Sequence, residues 1–282
     1  MNAIVLLNKA QNMTSFQAAN HVRHLFSEKK AGHCGTLDPN ATCLLIVLLG
    51  SATKLGPYIV TSPKRYHAEF CLGKVSDTED IWGKVTDTVV HGVHSQEQLD
   101  AAAARLTGDI LQTPPMYSAI HYNGTKLYEL ARKGQTVERK PRHAVIDSLR
   151  VHQTGENSFT MDASVSSGTY IRTLIIDYGK LLGEEALMTS LVRTGIGSLD
   201  LARAQTLEEM AETPVFVPFR DVMDPCWHAR PLDESLRRMI DNGMTVDLPY
   251  PEDKVILMDG EVPAAAYERR EDGHFHCQRG LR

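Results

Sequence analysis

An α+β fold is what this sequence predicts, and three observations carry the expectation. Strand-like and helix-like segments mix along the chain without a regular βα alternation. Two helical segments open on capping-box spacing, Thr14 with Gln17 and Ser95 with Gln98. Past about residue 224 the chain breaks into short β-like runs punctuated by Asn-Gly and Asp-Gly. Residues 1–224 are therefore expected to form the larger domain, and 225–282 a small, mainly β one.

The elements follow in order. "AIVLLNK" at 3–9 has the continuous apolar character of a buried strand. "TSFQAANHVRHLFSEKKAG" predicts a helix running from the Thr14 cap to Gly32, with Phe16, Ala19, Val22, Leu25 and Phe26 on its inner face. "CLLIVLLG" is a second buried apolar segment. "YHAEFCL" alternates, with Tyr66, Ala68, Phe70 and Leu72 on one side, as a half-buried strand does. "SQEQLDAAAARLTG" predicts a helix. "PPMYSAIHYNGTKLYELARKG" reads as an extended piece, an Asn-Gly turn and a short helix ended by Gly134. "HAVIDSLRV" and "SFTMDASV" read as paired strands. "GTYIRTLIIDYGKLLG" predicts a helix burying Ile171, Leu174, Ile175, Tyr178, Leu181 and Leu182. "KVILMD", "PAAAYE" and "HFHCQR" complete the C-terminal β runs.

Composition narrows the function. At 42% hydrophobic and 23% charged the chain has an ordinary core-forming balance. The apolar run Leu44 to Leu49 is far too short to span a bilayer. No basic leader precedes the first apolar residues, which argues against a secretory signal. Five scattered cysteines suit reduced thiols in a cytoplasm. The net charge is −5; basic and acidic side chains balance over residues 1–220, and the acidic excess lies wholly in 221–282. A polyanion partner would have to use local basic patches in the first part.

The stretch "GHCGTLDPNATCLL" sets one carboxylate, Asp38, at the mouth of an apolar segment. Pro39 restricts Asp38 to extended backbone, and Gly32 and Gly35 permit close approach of another molecule. A carboxylate nucleophile is already ionised at neutral pH and needs positioning and a cationic neighbour; an Asp-Pro turn is the plainer alternative. Arg172 opens a helix against the preference of the helix dipole, which suggests an acidic partner. Tyr66 and Tyr170 are either core tyrosines or a base-stacking or acid–base pair. His33 beside Cys34 lacks further ligands at useful spacing, so no metal site is expected there; "HFHC" at 274–277 reads as an exposed strand. Over residues 126–143, Lys126, Arg132, Lys133, Arg139, Lys140 and Arg142 face only Glu129 and Glu138, with Tyr117, Tyr122 and Tyr128 in or just before the run. That composition is either a solvated surface or one that tracks phosphates and stacks bases.

Four of these segments occur together and in order: "AGHCGTLDPNAT", "KRYHAEFCLGKVSDTEDIWG", "PPMYSAIHYNGTKLYELARKG" and "SSGTYIRTLIIDYG". Over about residues 3–200 the chain resembles the TruB family of bacterial tRNA pseudouridine synthases, which act on the T-loop uridine U55. The resemblance implies a pseudouridine synthase fold, with a mixed, largely antiparallel central sheet flanked by helices and a small PUA-like C-terminal domain. It implies a cytoplasmic, monomeric isomerase without cofactor or metal, whose partner is the T-arm and elbow of tRNA and not a membrane. It implies Asp38 as the residue that attacks the target nucleotide, Tyr66 as the base-stacking tyrosine that takes the C5 proton, and Arg172 as the partner of Asp38. His33, Tyr170, Leu191 and Lys126 then bind the substrate. The chain departs from the family at Ala10 and Asn12, where Pro and Gly are usual, at Cys43, where Gly is usual, and at His121, where Lys is common. The altered glycines leave a second expectation beside the first, a weakly active or inactive relative that binds or folds tRNA.

Overall fold

The computed structural model describes residues 2–282. The chain divides into two compact units, one combining the residues up to Thr61 with Gly197–Arg282, the other spanning Ser62–Ile196.

In the first unit the strand Ala3–Lys9 runs antiparallel to Thr42–Leu49, with Leu7 opposite Leu45, and Ala31–Cys34 pairs antiparallel with the far half of the same strand. Residues 43–49 are buried throughout, as the uninterrupted apolar run requires. The helix Ser15–Leu25 starts where its capping box places it: Thr14 caps the Gln17 amide, and the Gln17 side chain answers at the Thr14 amide. It ends at Leu25, well before the expected Gly32. Ser27 turns into left-handed backbone at φ 52°, and residues 31–34 are taken by strand pairing. The buried face is the small one, Ser15, Ala18, Ala19 and Val22, whereas Phe16 and Leu25 are exposed. Ala19 and Val22 of the expected face are buried, but the buried stripe turns toward Ser15 and Ala18 and leaves Phe16 and Leu25 outside it.

The same unit carries a second sheet, mixed in sense. His228–Pro231 lies parallel to Lys254–Asp259, which continues antiparallel through Val262–Arg269 to Phe275–Gly280. Ile240, Val246, Leu248, Val255, Leu257, Ala265, Tyr267 and Phe275 give it a core of its own.

The second unit is a five-stranded antiparallel sheet in the order Ala186–Ile196, Lys64–Leu72, Ser158–Val165, Arg142–Gln153 and Gly108–Gln112. Strand Lys64–Leu72 alternates as its sequence requires, with Tyr66, Ala68, Phe70 and Leu72 buried. The helices Gln96–Leu106 and Ile171–Leu182 join through Tyr178, whose hydroxyl donates to the Leu99 carbonyl at 3.0 Å. The Tyr178 ring meets Phe70 edge-on, and Phe70 stacks on Phe159, so aromatic packing ties this helix to the sheet. The expected α+β class and its antiparallel strand pairing are what the structure contains.

Candidate functional site

His33 and Asp38 belong to the first unit; Tyr66, Lys126, Tyr170, Arg172 and Leu191 belong to the second.

Asp38 sits on the loop joining Ala31–Cys34 to Thr42–Leu49. Gly35 enters that loop at φ 80°, the left-handed region that favours glycine. The Leu37 amide donates to the Ser15 hydroxyl at 3.0 Å, and the Ala41 amide closes a turn onto the Asp38 carbonyl at 3.1 Å. Lys9, fully buried at the end of its strand, donates from Nζ to the carbonyls of Ala10 (2.8 Å), Met13 (2.9 Å) and Pro39 (3.1 Å). A three-donor ammonium thus ties the residue after Asp38 to the loop before the helix. Sequence reasoning missed Lys9; its only local signal is a charge closing a strand that is apolar from Ala3 to Leu7.

Two departures from the family find a physical explanation in the same region. Asn12 lies at φ 62°, where asparagine is the usual substitute for glycine. Cys43 is fully buried in regular strand opposite Lys9, and its backbone is not left-handed.

In the second unit, Tyr66 faces Ala163 on one neighbouring strand and Arg193 on the other, and is 6% exposed. Leu191, opposite Ala68, lies on that same sheet face and is buried. Lys64, also on this face, donates to the Ser167 hydroxyl at 3.1 Å. Burial, and then the Arg193 charge, pushes its ammonium down to about 8.

Arg172 is 4% exposed in the first turn of its helix. It donates to the Thr78 carbonyl at 2.7 Å and the Tyr117 carbonyl at 2.9 Å, and its Nε lies 3.9 Å from an Asp80 carboxylate oxygen. The other Asp80 oxygen accepts from the Thr78 hydroxyl at 2.6 Å and the Trp82 amide at 3.1 Å. The "SDTEDIWG" segment is thus folded around the guanidinium, with Asp80 as an acid at hand. Asp80 was overlooked as a site residue although it lies inside a motif singled out in the sequence. Tyr170 caps the helix and is held by Gln112, which donates to its carbonyl at 3.0 Å and accepts from its amide at 2.8 Å.

Lys126 lies in the short strand before the helix Leu127–Arg132. Both Lys126 and Arg132 place a cation over the Tyr128 ring, 5.8 and 5.3 Å from its centre. Arg132, Lys133, Lys140 and Arg142 are exposed. At the C-terminal end His274 and His276 face separate aspartates, Asp247 and Asp272. Among the described residues no group of three or more His, Cys, Asp and Glu side chains is arranged to hold a metal, and no helix is long and apolar enough to cross a membrane.

The fold has solved counterparts. A Cbf5–Nop10–Gar1 complex matches with a TM-score of 0.72 at 19% identity, covering 99% of this chain and 85% of that one. An H/ACA RNP bound to a substrate RNA containing 2'-deoxyuridine matches with a TM-score of 0.69 at 18% identity, covering 99% and 85%. The family described as TruB family pseudouridylate synthase (N terminal domain) matches residues 23–171. The fold and this match define a class: the chain is a pseudouridine synthase, an isomerase.

Relatives narrow the class. A tRNA pseudouridine synthase B of Lactobacillus delbrueckii subsp. bulgaricus is 36% identical over 97% of this chain and 96% of its own length. That of Lactiplantibacillus plantarum is 40% identical over 75% and 71%. The chain belongs to the TruB family.

Proposed function

We propose that this protein isomerises uridine to pseudouridine in the T-loop of tRNA, at U55, with Asp38 as its covalent catalyst. The observation that carries the reading is the near full-length match to relatives named tRNA pseudouridine synthase B, with the aspartate of G-x-L-D-P intact at position 38. The N1–C1′ bond of the uridine breaks as Asp38 attacks the nucleotide. The base turns, C5 bonds to C1′ and expels the Asp38 carboxylate, the C5 proton leaves and N1 gains one, so the carboxylate is regenerated and no atom is gained or lost. Tyr66 stacks on the base and takes the C5 proton. Arg172 is the counter-charge to Asp38, and its burial keeps it desolvated and ready.

His33, Tyr170 and Leu191 hold the everted nucleotide, and Lys126 contacts the RNA. Eversion costs a few kcal/mol of lost stacking, which aromatic and apolar walls partly offset. The exposed cations around Tyr128 supply phosphate contacts that the acidic C-terminal region lacks. Residues 1–224 do the catalysis, and 225–282 act as a PUA-like module. The protein works as a monomer in the cytoplasm on tRNA alone, without cofactor or metal.

The test is tritium release from tRNA labelled at uridine C5. The parent releases tritium with stoichiometric loss from the T-loop position, and Asp38→Asn binds tRNA normally but releases none. Equal, near-zero release by both proteins with normal binding would sink the enzymatic reading and leave a tRNA-binding relative.

A further inference from the structure

We propose that the outer face of the helix Ser15–Leu25, from Phe16 to His24, is a surface for the substrate RNA, where Phe16 stacks on a base and Arg23 meets a phosphate of the strand that leads to the everted uridine. The inference rests on the reading of Asp38 as the residue that attacks that uridine.

Position is the first argument. The start of this helix is tied to both neighbours of Asp38. The Leu37 amide donates to the Ser15 hydroxyl at 3.0 Å. On the other side, Lys9 Nζ donates to the Pro39 carbonyl at 3.1 Å and to the Met13 carbonyl at 2.9 Å, joining the loop to the residue before the Thr14 cap. Phe16 follows Ser15 directly, so a strand with one nucleotide at Asp38 has its flanking nucleotides beside the first turn of the helix.

The side chains on the outer face suit such a strand. Ser15, Ala18, Ala19 and Val22 are buried. Away from them Phe16, Asn20 and Arg23 recur at four- and three-residue spacing, with Gln17, His21 and His24 in the adjoining row. Phe16 keeps 67% of its surface exposed. A single exposed apolar side chain carries no meaning by itself; here the charge around it does. Residues 10–37 hold Arg23, Lys29 and Lys30 against one acid, Glu28, in a chain whose net charge is −5, and the helix itself has no acidic residue. Arg23 donates from Nε to Asn20 Oδ1 at 3.1 Å, from Nη1 to the Glu28 carbonyl at 3.4 Å and from Nη2 to His24 Nε2 at 2.8 Å. A guanidinium only donates, so the His24 nitrogen is the acceptor, and none of the three acceptors carries a negative charge. The guanidinium is thus oriented without being neutralised, which is the state that gains most from a phosphate. A second copy of the chain is the poorer occupant, because two such basic faces repel each other when apposed.

The test is the affinity of the full chain for an unmodified tRNA transcript, measured by filter binding over a range of KCl. Phe16→Ala is expected to raise Kd about tenfold, and Phe16→Tyr to restore most of the affinity, since bases stack on any aromatic face. Arg23→Gln is expected to lower the slope of log affinity against log salt by about 1, the signature of one lost phosphate contact. In tritium release both variants should raise KM more than they lower kcat. Phe16→Ala should melt with the parent, because the ring is largely exposed, so the lost affinity is not lost folding. Variants that bind the transcript as tightly as the parent, with the same salt slope, would overturn the inference. So would a Phe16→Ala protein whose self-association in sedimentation changes while its tRNA affinity does not, which would give the face to a second copy. A parent that binds the transcript but releases no tritium overturns the proposed function, and the Kd comparison then decides the RNA surface by itself.

Discussion

Replacing Lys9 by Met should loosen the loop that carries Asp38 and lower the stability of the protein by about 3 kcal/mol. Lys9 is fully buried and makes three hydrogen bonds to carbonyl oxygens, at 2.8, 2.9 and 3.1 Å. Hydrogen bonds to a charged donor are worth about 1.5–3 kcal/mol each, so the gross interaction is several kcal/mol. Against this stands the desolvation of the ammonium, itself several kcal/mol. Breaking a buried charged arrangement from one side usually costs about 3–5 kcal/mol.

Ala10 and Pro39 are exposed residues whose carbonyls can regain water, which places the loss at the low end. At about 2–4 °C per kcal/mol for domains of this size, Tm should fall by roughly 6–12 °C. Calorimetry of parent and variant measures the shift, and tritium release at 25 °C reads the loop. Turnover should fall more than tRNA affinity, because the lost contact holds Pro39, next to Asp38, the carboxylate we propose as the nucleophile. A Lys9→Met protein melting within about 1 °C of the parent would refute this reasoning.

Further outcomes follow from other contacts. Arg172→Met strips Asp80 and the carbonyls of Thr78 and Tyr117 of their cation, and should cost about 3–5 kcal/mol of stability together with most of the turnover, measured by urea unfolding and single-turnover release. Burial pushes the Lys64 ammonium down to about 8 in the folded protein from about 10.5 when unfolded, so the unfolded chain binds the extra proton between those values. Stability from this residue therefore rises as pH climbs from about 8 to 10.5, by up to about 3 kcal/mol, and the rise should vanish in Lys64→Met when urea midpoints are compared across that range. Asn12→Gly should melt close to the parent, whereas Asn12→Ile should lose about 1–2 kcal/mol, since a branched side chain resists φ 62°.

What could be read from the sequence was local. The capping boxes at Thr14 and Ser95 placed two helix starts, because donor and acceptor lie three residues apart. The alternation of residues 66–72 placed a strand and its buried face, and the left-handed cap at Gly183 closed the Arg172 helix where expected. Asp38, Tyr66 and Arg172 stood out as candidates by local chemistry, and four motifs in order pointed to the family.

Tertiary structure decided the rest. The first helix stops at Leu25, because Ser27 turns left-handed and strand pairing claims residues 31–34, and packing buries its small face. Lys9 reaches a carbonyl 30 residues away, Gln112 clamps a backbone 58 residues on, and Arg172 finds the Thr78 carbonyl 94 residues back. Short-range order follows from backbone geometry and periodicity, which a linear reading contains. A buried charge is stabilised only by whichever polar groups the folded chain brings to it, and those neighbours exist only once the strands have paired.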